Sequence, residues 1–412
     1  MQQKNFLKLF VGLIITACLL SVFSLFITSG NYLLQHDPRA IDFLAFYTGG
    51  TLIAQDTSHL YNLHSQQVLQ NEFLPMTKKI SLFIPFLNPP FTTLLFVPFK
   101  NVNIVTAYDI WLFINFLIVV IISYMFYKKL QTRWFYKILI IILVITFIPL
   151  LTTLLTGQLS LLLCVIVICS WLLLQKGQLF WSGFLFSLML IKPHFFVIPF
   201  LVHLIQRQKH FLGGLFAGAC ILLFVSFLLV GLQGITTYIS LLLNASFWSI
   251  GYRVDLMAQH SIQTVLLLLF QTTNLADIRI LWLAINFSLV IAMLYVWRKK
   301  YPLHSKKTAL QWSLLFLTLL LTSPHSHFHD LTLLLILPFL FLSQWQKINE
   351  ENKKYVLLFL ILYSIELIGY LLTLWTGKFG NHLWILIDVF YQLYVWFILF
   401  SQLLKSENQS KK

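Results

Sequence analysis

Charge is what this sequence has least of. Only 10% of its 412 residues are charged against 59% hydrophobic, too few to cover the surface of a soluble chain this long, so lipid must solvate it. Cysteine is scarce too: Cys18, Cys164, Cys169 and Cys220 all lie inside apolar runs. None has a disulfide or metal-ligand spacing, so they read as small packing or lipid-facing residues. There is no internal repeat at a fixed period and no soluble domain. We therefore expect one membrane-embedded domain over residues 1–412.

What the sequence has in quantity is apolar runs, many of them near the roughly 17–25 residues that cross a bilayer as helix. They predict an all-α polytopic membrane protein with about eleven full crossings plus shorter elements. The run Phe6 to Ile27 begins like a signal peptide but is long and lacks a clear cleavage site, so it is taken as the first membrane helix.

The formal net charge of +15 could suggest nucleic acid, but its distribution argues against that. Lys128, Lys129, Arg133 and Lys137 form one cluster, and Arg298, Lys299, Lys300, Lys306 and Lys307 another. Lys347, Lys353 and Lys354 follow, then Lys405, Lys411 and Lys412, each cluster in every second gap between runs. That is the positive-inside pattern, with these loops and both termini cytoplasmic in the inner or plasma membrane. The acids Asp37, Asp42, Asp56, Glu72, Asp255 and Asp277 fall mostly on the other side.

That outer side holds the chemistry. Residues 28–100 form a first extracytoplasmic loop too long for a plain connection. Within it, Ala54 to Phe73 suits an interfacial helix, and Pro89 to Phe99 is a short dipping segment. Gly157-Gln158 makes an outer turn, Gly231 to Gln259 a second outer loop with Trp248, Tyr252, Arg253 and Asp255, and Ile262 to Phe270 a re-entrant element. Leu179 to Ile191 and His194 to Ile205 are half-length helices meeting at Lys192-Pro193. Such a corner, with an ammonium at depth, is tolerated only beside protein or a polar cavity, unless the lysine snorkels to an interface.

A transporter would more often set its ionisable groups near the bilayer midplane, where Glu366, Asp388 and Asp109 are the few candidates. An interfacial concentration instead suits an enzyme acting on a lipid headgroup. Glycosyl transfer from a lipid phosphate needs one carboxylate to take the acceptor's proton, and cationic or hydrogen-bonding groups for the departing phosphate. Asp42 is the best base, because Phe43, Phe46 and Tyr47 beside it could stack on a sugar; equally, Asp42 could simply cap a helix starting at Phe43. Asp37, before Pro38, is the second-choice acid or a turn former. Arg253 could hold a lipid phosphate or only pair with Asp255. His325, His327 and His329 alternate like metal ligands, but with no acidic companion except Asp330. Phosphate contact by His329 is the better reading, and no metal is expected.

These residues carry a family resemblance. Asp42-Phe43-x-x-Phe46-Tyr47-x-Gly49-Gly50 resembles the Asp-Phe-x-x-Tyr-Tyr-x-Ala-Gly pattern of glycosyltransferase family 87. Those enzymes are polyprenyl-phosphate-mannose-dependent mannosyltransferases of the C-type (GT-C) fold. Asn88-Pro89-Pro90-Phe91 with Pro98 is similar to that family's Tyr-Pro-Pro segment. Gly157-Gln158, Lys192-Pro193 and Ser323-Pro324-x-Ser326-x-x-His329 follow in the family's order. The resemblance spans roughly Asp42 to Phe339, and Asn88, Ser160 and His327 depart from the usual residues.

The resemblance implies that Asp42 is the general base and that His329 lies near the donor phosphate. It also implies an extracytoplasmic polyprenyl-phosphate donor and no cofactor. With the residue-level reading, Lys192, Arg253, Tyr47 and Gln158 join His329 as candidate contacts to donor phosphate or sugar. The expected partners are the polyprenyl-phosphate sugar donor, a glycolipid or glycan acceptor and the bilayer, with no nucleic acid. The rival expectations are a flippase of lipid-linked sugars and a polysaccharide ligase or polymerase.

Overall fold

A computed structural model describes residues 26–33, 41–73, 84–130, 134–243, 259–344, 350–376 and 382–409. These residues are overwhelmingly helical; the only extended pairing among them is an isolated antiparallel bridge between Gln259 and His327. The protein is an all-α polytopic membrane protein.

Five helices are long and apolar enough to cross a bilayer: Ile104–Lys129, Lys209–Leu243, Leu275–Trp297, Lys354–Thr373 and His382–Lys405. A bent pair, Lys137–Ile145 and Ile148–Thr156, turns by 45° and makes a sixth if it is one span. The bend falls where Pro149, lacking an N–H, enters the second helix. Outward side chains on these helices are large and apolar, such as Phe216, Leu228 and Ile280, as a lipid-facing surface requires.

The expected count of about eleven crossings is therefore too high for the described residues. The first run lies almost wholly outside them. Elsewhere the apolar runs fold into shorter helices: Ser160–Gln175 has 16 residues and Lys306–Thr322 has 17. The latter is buried at every position from Thr308 to Thr322. A helix apolar on all sides can be enclosed by protein as readily as by lipid, and hydropathy does not separate the two. The Lys306–Thr322 helix is the centre of the packing, flanked by Leu275–Trp297, Ile336–Gln344 and His382–Gln409. Its Trp312 meets the rings of Trp171, Phe186, His203 and Trp297.

The expected short elements are present. The proline-flanked segment forms 3₁₀ turns, Pro90–Leu95 and Val97–Phe99. The interfacial stretch is a 3₁₀ turn, Thr57–His59, followed by the helix Leu63–Phe73. One boundary is corrected: the chain does not leave helix at Gly231. There φ is 63° and the helix Lys209–Leu243 kinks rather than stops, a conformation glycine adopts without the penalty a Cβ brings. The loop residues Trp248, Tyr252, Arg253 and Asp255 lie outside the described residues, as does Asp37.

The chain divides into two compact units rather than the single domain expected. One comprises Met1–Phe86, Thr93–Leu117 and Leu154–Gln158; the other comprises Leu87–Thr92, Ile118–Thr153 and Leu159–Lys412.

Candidate active site

In the first unit, Asp42 stands immediately before the helix Phe43–Gln55. The helix does begin at Phe43, yet the Asp42 side chain makes no capping hydrogen bond, so the capping reading does not account for it. Its carboxyl group is half-buried at the end of the helix where the dipole favours negative charge.

What holds it there is the next residue. Phe43 is fully buried and packs against Tyr47, Phe96, Phe99, Tyr108 and Trp111. Trp111 Nε1 donates to the Gly157 carbonyl at 2.8 Å, and the Tyr108 hydroxyl donates to the Leu155 carbonyl at 2.8 Å. The Gly157-Gln158 turn is thus fastened to the ring cluster that anchors Asp42. Gly157 has φ of 71°, and a Cβ there would come within 2.7 Å of Phe43 Cβ. Both the backbone and the contact demand glycine. Gly157→Ala is expected to destabilise the detergent-purified protein by roughly 2 kcal/mol, read as a lower midpoint of thermal unfolding.

The neighbouring aromatics do not serve as expected. Phe43, Phe46 and Tyr47 are all buried, and the Tyr47 hydroxyl donates to the Val102 carbonyl at 2.6 Å while its ring meets Phe73. Alternate apolar rings beside an acid resemble a sugar platform in sequence, but here they are core. Tyr47 acts as a packing residue in this structure.

The second unit assembles a different cluster, centred on Asp330. Its Oδ1 accepts from the Ser160 hydroxyl at 2.6 Å and from the Lys192 ammonium. Its Oδ2 accepts from the His327 backbone N–H at 3.3 Å and lies 3.6 Å from His329 Nε2. Asp330 is fully buried and Lys192 is 8% exposed. The pairing explains how an ammonium can sit so deep: the charge is compensated on the spot, with a hydroxyl completing the carboxylate's bonding. Lys192 does not snorkel.

Three sequence motifs meet here. Lys192 follows the 3₁₀ helix Ser187–Ile191, and Pro193 then begins another, Pro193–Phe195. The Ile191 carbonyl at this corner accepts from Asn88 Nδ2 at 3.0 Å. So Asn88, unusual at its place in the motif, satisfies a backbone group that the corner leaves open. The His329 carbonyl accepts from Thr153 Oγ1 at 3.0 Å, and Thr153 also bonds Thr332. The His329 side chain projects from the first turn of the 3₁₀ helix Phe328–Leu335. His325 and His327 contact each other edge to face, and His327 stacks on His329. Among the described residues, no group of three His, Cys, Asp or Glu side chains is placed to hold a metal ion.

Sequence reasoning named Lys192 and His329 but missed that Asp330 joins them. The signal was available: a lysine at depth demands an acid, and few acids occur in the apolar parts of the chain.

With this geometry, comparison with known families is decisive. The model of glycosyltransferase family 87 matches residues 86–324, more than half the chain. The protein belongs to glycosyltransferase family 87. It is a membrane glycosyltransferase, and the match covers Asn88, Gly157-Gln158, Lys192-Pro193 and the start of the histidine turn. No curated protein and no solved structure matches the chain. For a family 87 enzyme, the Lys192–Asp330 pair is a preformed polar floor in an otherwise apolar interior.

Proposed function

We propose that this enzyme moves a hexose, mannose being the first candidate, from a polyprenyl-phosphate donor to a glycolipid or glycan acceptor with inversion. The reaction takes place on the extracytoplasmic face of the cell membrane. Asp42 is the general base. The acceptor hydroxyl oxygen bonds to the anomeric carbon, the bond from that carbon to the phosphate oxygen breaks, and the proton passes to the Asp42 carboxylate. Phosphate leaves with its own negative charge and needs no acid, so one carboxylate suffices.

The observation that carries this reading is Asp42 itself. It is a half-buried acid at a helix start that does no capping, held by a clamped aromatic residue, in a chain of glycosyltransferase family 87. His329 supplies a hydrogen bond to the donor phosphate, and Lys192, held by Asp330, contributes an ordered cationic group behind it. Gln158 orients the sugar or the acceptor. Arg253 is a further phosphate contact, and Asp37 the reserve acid.

The experiment supplies the purified enzyme with radiolabelled polyprenyl-phosphate mannose, polyprenyl-phosphate glucose or a sugar nucleotide, together with membrane acceptors. Label should pass from a polyprenyl phosphate and not from the nucleotide; the opposite preference would overturn the donor assignment. His329→Ala is expected to lower turnover about 100-fold, the usual range for removing one donor to a developing anion. Sidedness is checked in a cysteine-free background: a cysteine at Thr57 should react with an impermeant thiol reagent from outside, and one at Lys306 should not. The reverse labelling would place the reaction on the cytoplasmic face.

A further inference from the structure

Behind the histidine turn lies a second buried polar group that transfer chemistry does not use. His260 precedes the helix Ile262–Leu269 and is 2% exposed. Its Nδ1 lies 2.7 Å from Asp388 Oδ2, on the last helix His382–Gln409. The same oxygen accepts from Gln392 Nε2 at 2.8 Å. Asp388 is fully buried, as is Glu366 beside it on the adjoining helix.

The other faces of His260 reach the turn. Its backbone N–H donates to the Ser326 carbonyl at 2.8 Å, and the preceding residue, Gln259, forms the bridge to His327. The imidazole ring is wedged between Phe328 and Trp384, with centroids 5.2 and 5.0 Å away, and those two rings touch each other. One residue thus ties the turn bearing His327 and His329 to the last helix by backbone, ring and side chain.

We propose that His260, locked by Asp388, is a positioning residue for the glycosyl transfer, fixing the turn that presents His329. The proposal rests on the reading that this turn serves the donor phosphate. A buried imidazole with one nitrogen bonded to a carboxylate has a fixed tautomer and ring orientation. Here that orientation is passed to the turn through Phe328 and the Ser326 carbonyl. A turn left free to shift by an ångström would present His329 to the phosphate less often, and donor binding would suffer most.

The test uses two readouts on the full-length enzyme in detergent. In steady-state kinetics with polyprenyl-phosphate mannose, Asp388→Leu and His260→Leu should each raise the donor KM about tenfold, with the acceptor KM unchanged. Asp388→Asn, which keeps an oxygen to accept from Nδ1, should restore the donor KM to within about threefold. The double leucine variant should lose little more than either single one, because both remove the same lock. In hydrogen exchange, amides of residues 325–330 should lose at least tenfold protection in both leucine variants, while those of Phe43–Gln55 stay as in the wild type. Wild-type protection of the turn in the leucine variants would overturn the proposal whatever the donor. So would equal rises in both KM values, or no rescue by Asn. If His329→Ala transfers normally while the turn still loosens in the leucine variants, the phosphate role fails and the lock stands.

Discussion

Asp42→Asn is expected to lower sugar transfer about 1,000-fold, within the range for removing a positioned general base, while membrane insertion and thermal stability stay unchanged. The substitution is nearly isosteric, and no capping bond is lost because none is made. The burial that fixes this end of the helix belongs to Phe43, not to the acid. Folding and chemistry are therefore separable here. Asp42→Glu should retain a fraction of activity, since the carboxylate survives but stands about one bond length from its place. Turnover of Asp42→Asn near the wild-type rate would remove Asp42 from the mechanism, and failure of the variant to insert would show that the residue is structural.

The second large effect concerns stability. Lys192→Met leaves Asp330 fully buried with no cation, and removing one partner of such a pair costs about 3–5 kcal/mol. Unfolding of the purified protein in detergent should shift accordingly. The double variant Lys192→Met with Asp330→Leu should recover much of that loss, because two apolar side chains need no mutual compensation. Activity should not return with it. A single variant as stable as the wild type would mean the ammonium is solvated in some other way; a double variant no better than the single would mean Ser160 and the His327 amide depend on the carboxylate more than the charge pair does.

The membrane class was legible from composition alone, and the start of the helix at Phe43, the Lys192-Pro193 corner and the short Pro90–Phe99 elements from local pattern. Proline and glycine write those breaks directly into the backbone. The number of crossings was not legible, because the apolar residues of Lys306–Thr322 face protein on all sides and look the same as residues facing lipid. Nor was the role of Tyr47 legible, since a ring that stacks on sugar and a ring that fills a core share the same one-dimensional signature. Partnerships such as Lys192 with Asp330, or His260 with Asp388, join residues 138 and 128 positions apart, a separation over which periodicity carries no information. Loss of function on changing Asp388 would also fail to argue for a transporter, because that carboxylate has an assigned neighbour in His260.

The helix that starts at Phe43 is enclosed at eleven successive residues, Phe43 to Ile53. A rod gripped along most of its length cannot swing its leading acid toward different substrates. Acceptor choice must then be made by whatever can travel to a stationary carboxylate, and changing the preferred alcohol would call for reshaping the approach to Asp42 while leaving the rod alone.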